Sequence, residues 1–174
     1  GGNLRNAIPR EGSSELVISN KDIIFFEKEI LKISQILKQE FEIQEVNLNI
    51  IYSPIASPKE SLNKEFQMRF LKSISAVHNG VFSMNAKIPE LVETSNNLAS
   101  VILASGKLEI ACLTRSFSES GKLNLVDTIQ SVFELASYRV EISGDYPGWE
   151  PNPNTEICAI LDKTYQDLFK EKPN

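Results

Sequence analysis

Apolar residues recur every three or four positions in four stretches of this chain and alternate with polar ones in several others. The first period predicts helices and the second strands. Ile23, Phe26, Ile30, Ile33 and Leu37 mark the buried face of a first helix, and Ser19-Asn20-Lys21-Asp22 ahead of it supplies an N-cap and an acid in the first turn. A second helix buries Leu62, Phe66, Phe70, Ile74 and Val77. It is expected to open at Ser57-Pro58-Lys59-Glu60, a capping box with Pro in the first helical position, and to end at Asn79-Gly80. A third begins near Lys122 and presents Val126, Ile129, Phe133 and Ala136. A fourth, capped by Asn154-Thr155-Glu156, turns Ile157, Ile160, Leu161 and Leu168 inward.

Strands are expected over 4–8, closed by Pro9, and over 15–19, 46–52, 81–84 and 139–143. The central feature is a hairpin: one strand over 97–105, a two-residue turn at Gly106-Lys107, and a second strand over 108–115. Leu98, Ser100, Ile102 and Ala104 would share one face, with Ala99, Val101, Leu103 and Ser105 on the other. Neither face carries a charge before Glu109, so both are expected to be covered. Hairpins interspersed with helices predict an α+β fold, a mixed, largely antiparallel sheet with helices packed on one face.

At 174 residues with 41% apolar and 24% charged content, the chain is long enough for one buried core, or for one domain and part of another. A net charge of -5 without a basic cluster argues against nucleic acid as a partner. No apolar run approaches the roughly 20 residues that span a bilayer, which argues against a membrane partner. The two cysteines, Cys112 and Cys158, make neither a disulfide framework nor a metal site and read as reduced, buried thiols. His78 is the one histidine, placed at a helix end as a dipole partner or in solvent, so a two-histidine metal site is excluded.

Two polar residues stand out. Arg115 closes an apolar strand, where a guanidinium is well placed to grip a carboxylate with paired hydrogen bonds; a side chain snorkelling to the surface is the simpler reading. Asn6 can donate and accept, so it could hold a substrate amide or an oxyanion, or merely serve a turn at a sheet edge. From Gly144 to Pro153 the chain holds three prolines and its single Trp within ten residues, too rigid for a flexible linker, and reads as an ordered crossover.

Five segments together carry a resemblance: GGNLRNAIPRE at 1–11, NGV at 79–81, VETSNNLASV at 92–101, IACLTRSFSESGK at 110–122 and GDYPGWEPNP at 144–153. In their order and spacing the chain resembles the aminoacyl-histidine dipeptidases, also called peptidase D or Xaa-His dipeptidases, which are cytosolic dinuclear-zinc exopeptidases. The resemblance implies that residues 1–145 are most of a substrate-covering, dimerising lid domain, incomplete at its N-terminus. Residues 146–174 would be a crossover and the first helix of the second catalytic-domain segment, both chain ends lying inside a longer protein. It further implies a cytoplasmic parent enzyme that hydrolyses dipeptides such as Xaa-His with two zinc ions, and that forms a homodimer through the lid. Asn6 and Arg115 would belong to the substrate pocket, Arg115 pairing with the dipeptide's free carboxylate. The family's zinc ligands, its base glutamate and its Gly-Gly-His-Ser-Gly segment have no counterpart here, and His78 does not sit in that context. Alone, the chain is therefore expected to bind no zinc and to be inactive. The alternative is a non-catalytic dimerisation or interaction module derived from such a lid.

Overall fold

The structure is a computed structural model and describes residues 1–173. The described residues divide into two compact units, one comprising residues 13–67 and the other residues 1–12 together with 68–173.

In the unit of residues 13–67, a single 3-10 turn at Asn20–Asp22 leads into α1, Ile23–Glu40, the helix its periodicity predicts. Phe26, Ile30 and Leu37 are half-buried, but Ile23 and Ile33 are exposed and no residue of α1 is fully buried. Phe26 meets Tyr52 edge-to-face, with ring centroids 6.0 Å apart, and Lys38 Nζ donates to Asn49 Oδ1 at 3.2 Å. The strands expected over 15–19 and 46–52 do not form. Alternation marks which side of a strand would be buried, but a strand exists only where a neighbour completes its ladder, and Val17, Val46 and Ile51 are exposed.

The second helix, α2, spans Lys64–Ala76, later than its capping box suggests. Asn63 takes the capping role: its Oδ1 accepts from the Phe66 N–H at 2.8 Å, so the helix starts there and residues 57–60 stay outside it.

Three strands, β1 (Gly80–Met84), β2 (Val92–Ala104) and β3 (Lys107–Ser116), make an antiparallel sheet in the order β1-β2-β3. The α+β class and the antiparallel sheet are as the sequence predicts. The strands expected over 4–8 and 139–143 are absent for the same want of a ladder. The turn between β2 and β3 is Ser105-Gly106, one residue earlier than expected. Ala104 pairs with Lys107, and Ser105 and Gly106 both have positive φ (50° and 72°), the signature of a type I′ turn.

β2 begins five residues before the expected 97 because its polar start is a paired strand. Thr94 lies opposite Ser116 and Asn96 opposite Thr114, and both pairs are hydrogen-bonded through their side chains at 2.8 and 3.1 Å. A bulge at Ala99, where pairing passes from Leu98–Cys112 to Ser100–Ala111, then reverses the expected faces. Thr94, Asn96, Leu98, Val101 and Leu103 share the face of Ile110, Cys112 and Thr114. Ser95, Asn97, Ser100 and Ile102 share the other with Leu113 and Arg115. Beyond Ile102 the hairpin tip is exposed rather than covered.

α3, Glu119–Leu135, is capped by Ser118, whose hydroxyl accepts from Gly121 N–H at 3.3 Å. It lays Leu125, Ile129 and Phe133 against the sheet, where with Val77 they form the buried core under Leu98, Ile110, Cys112, Tyr138 and Val140. Leu125 is wholly buried and Val126 half-buried, so the helix is rolled slightly from the expected face. The burial of Leu125 alone contributes about 1.5–3 kcal/mol. α4, Glu156–Phe169, is capped by Thr155 as its sequence predicts, but Ile157, Ile160, Leu161 and Leu168 are exposed, not inward.

Candidate functional site

β3 is an edge strand, and its free side borders a groove of about 1070 Å³ whose far wall is the segment 138–149 and whose floor is α3. The residues that line it include Arg5, Arg115, Phe133, Tyr138, Tyr146 and Trp149.

The far wall is tied down by two lysines. Lys122 lies on the apolar stripe of α3, three residues before Leu125, and is only 8% exposed. Its Nζ donates to Asp145 Oδ1 at 2.6 Å and to the Tyr146 carbonyl at 2.9 Å, and lies 3.0 Å from Glu119 Oε2. The hydrogen bonds it donates to Asp145 and Glu119 hold the Lys122 ammonium above its ordinary pKa. Farther along, Lys87 and Glu150 pair at 2.7 Å on the surface, which raises the lysine pKa and lowers that of the glutamate. Between these ties Gly148 passes so near β3 that a Cβ on it would stand 2.5 Å from the Ser116 carbonyl oxygen. The Pro- and Trp-rich segment is thus an ordered strap along the end of β3, as its composition indicates.

Arg115 lies opposite Ser95 near the end of β3. It is exposed, lines the groove, and takes part in none of the ion pairs among the described residues. Asn6 is also exposed, but it sits in a turn rather than on a strand and does not itself line the groove, although its neighbour Arg5 does. The turn is held by Asn97, whose Nδ2 donates to the carbonyls of Arg5 (3.0 Å) and Ala7 (2.8 Å) on either side of Asn6. Asn97 lies opposite Leu113 and therefore on the sheet face of Arg115. The segment is anchored again where Gly1 exchanges backbone hydrogen bonds with Val101 at 2.9 and 3.0 Å.

The histidine motif is structural. The His78 carbonyl accepts from Asn96 Nδ2 at 2.7 Å, and Asn79 Oδ1 accepts from the Leu98 N–H at 2.7 Å, so Asn79 extends the ladder of β1 with a side chain. The His78 ring stands edge-on to Phe82, 5.3 Å between centroids. Cys112 and Cys158 are free and half-buried, and burial pushes the Cys112 thiol pKa up. Among the described residues no three His, Cys, Asp or Glu side chains gather as a metal site, so the donors present do not fit a zinc pair and no metal step is assigned to this chain. No described helix is long and apolar enough to cross a membrane.

Sequence reasoning missed the roles of Asn97 and Lys122. Lys122 left a signal, a lysine in register with Leu125, Ile129 and Phe133; Asn97 left none beyond an amide inside a strand.

No model of a protein family matches the chain. It is 34% identical over all 174 residues to the cytosol non-specific dipeptidase of Escherichia coli K12, and spans 36% of that protein's length. The crystal structure of aminoacylhistidine dipeptidase from Vibrio alginolyticus superposes with a TM-score of 0.90 at 32% identity, over 99% of this chain and 35% of the other. The chain is therefore homologous to cytosol non-specific dipeptidase and matches in structure about a third of aminoacylhistidine dipeptidase.

Proposed function

We propose that this chain is the substrate-recognition and closure portion of a dipeptidase, residues 1–145 forming the lid and 146–174 the return to a catalytic domain. Homology to a dipeptidase supports the reaction class. The observation that carries the reading is Arg115: an exposed guanidinium, without an ion-pair partner among the described residues, fixed near the end of a paired strand beside an aromatic groove. Such a cation grips a terminal carboxylate with two parallel hydrogen bonds. Because the strand fixes its position, it favours ligands whose carboxylate lies one or two residues from the bond to be cut.

The reading places the zinc ions of the parent enzyme on residues outside 1–174, and it places the parent in the cytoplasm as a homodimer joined through the lid. Within this chain the work is binding and closure. Arg115 holds the substrate's tail, Asn6 orients the peptide near its carbonyl, and the strap of 144–149 keeps the groove's far wall in place.

Replacing Arg115 with Ala in the full-length protein tests this. The Michaelis constant for dipeptides is expected to rise by the equivalent of about 2–5 kcal/mol, the cost of removing one partner from a charge pair that closure over the substrate would bury. An unchanged constant overturns the assignment.

A further inference from the structure

Asn97 is an amide in the middle of a strand, a position where Asn is ordinarily disfavoured. Its Nδ2 spends both protons on one short turn, donating to the Arg5 carbonyl at 3.0 Å and the Ala7 carbonyl at 2.8 Å. Those carbonyls flank Asn6, so the backbone is pinned on both sides of that residue while its own side chain stays exposed. The turn has little else to hold it: its internal hydrogen bond, Ala7 N–H to the Leu4 carbonyl, is long at 3.4 Å.

The register says where the pinned turn lies. Asn97 faces Leu113 and Ser95 faces Arg115, with no bulge between them, so Asn97 and Arg115 share one face as diagonal neighbours. Diagonal neighbours lie about 7–8 Å apart.

We infer that Asn97 is a positioning residue: by pinning the turn on the sheet face of Arg115 it fixes where Asn6 stands relative to that clamp, and so takes part in the choice of very short peptides. The inference rests on the reading of Asn6 and Arg115 as substrate-facing. Asn97 touches no substrate; it acts through the turn.

The test uses the full-length protein and the variants N97D, N6A, R115A and N97D/N6A, with N97A as a second, uncharged replacement should N97D fold poorly. N97D is nearly isosteric and removes both donated hydrogen bonds. Trypsin cleavage after Arg5 under native conditions reports whether the turn is released, and it is expected to accelerate in N97D and N97A, with cleavage after Lys163 in α4 unchanged. Dipeptide kinetics report the consequence: kcat/KM is expected to fall by about 10-fold to 100-fold. The double variant N97D/N6A is expected to be no worse than N6A. Unchanged cleavage after Arg5, a released turn with unaltered kinetics, or additive losses in the double variant each overturn the inference. If N6A and R115A alone leave the kinetics unchanged, the underlying reading of the pocket falls instead, and the cleavage assay still decides whether Asn97 holds the turn.

Discussion

Lys122 reaches from the core-facing stripe of α3 to Asp145, 2.6 Å from Nζ to Oδ1, and the same ammonium donates to the Tyr146 carbonyl at 2.9 Å. One buried cation thus joins the helix that floors the groove to the strap that walls it. Replacing Lys122 with Met keeps most of the stem's packing but removes both ties. The expected result is a melting temperature lowered by several degrees and faster proteolysis within 144–149. Asp145→Asn is expected to cost less, since the Tyr146 carbonyl and Glu119 remain. Calorimetry with limited proteolysis checks both, and a K122M strap as resistant as the parent's would refute the role.

The surface tie has a pH signature. Glu150 is held below its usual value of 4.5, so its contribution is complete above pH 4.5 and is lost as pH falls through the lower, folded-state value. Lys87 and Lys122 are raised above 10.5, so their contributions are complete below 10.5 and are lost as pH rises past it. Melting temperature measured against pH is therefore expected to fall at both extremes. Glu150→Gln should reduce the acid-side fall and, because Glu150 is what raises Lys87, the Lys87 part of the alkaline fall as well, leaving the Lys122 part. Because Lys87 and Glu150 are exposed, the difference should shrink in high salt.

How far the sequence could carry these conclusions depends on the kind of signal. α1 was legible from its period and α4 from its cap, because Thr155 marks the start of α4 locally by accepting from the Cys158 N–H, whereas α1 starts without a side-chain capping bond. The hairpin was legible from its apolar runs and its glycine, although the turn lay one residue earlier. The bulge at Ala99 was invisible, since it depends on how two strands slide past each other, and it exchanged the faces of every later residue of β2. The strands over 4–8, 15–19, 46–52 and 139–143 failed because alternation is a statement about faces and not about partners. Asn6 and Arg115 were nameable from the resemblance, but their relation was not. The residue relating them, Asn97, has a role only once a segment ninety positions away is folded back onto it.

Gly148 offers a separate test of how the strap is seated. A Cβ there would stand 2.5 Å from the Ser116 carbonyl oxygen and 2.7 Å from that of Phe117. Both are backbone atoms at the end of β3, so no flexible side chain can swing aside to make room. Gly148→Ala must therefore shift either the strap or the strand end, and the strap is the weaker of the two: it has no ladder, whereas Ser116 is paired with Thr94 through both strand register and a 2.8 Å hydroxyl bond. The expected outcome is displacement of 144–149 with β3 intact. Its cost is in the range of about 1–3 kcal/mol that overpacking takes. Gly144→Ala is the control: it has open space around its Cβ but a φ of +72°, so it carries backbone strain of about 1–2 kcal/mol and no collision. Hydrogen exchange separates the two. G148A is expected to raise exchange at 145–150 and to leave the β2–β3 amides protected. If exchange instead rises along β3, the strap is the rigid partner and the groove's geometry is set from its far wall.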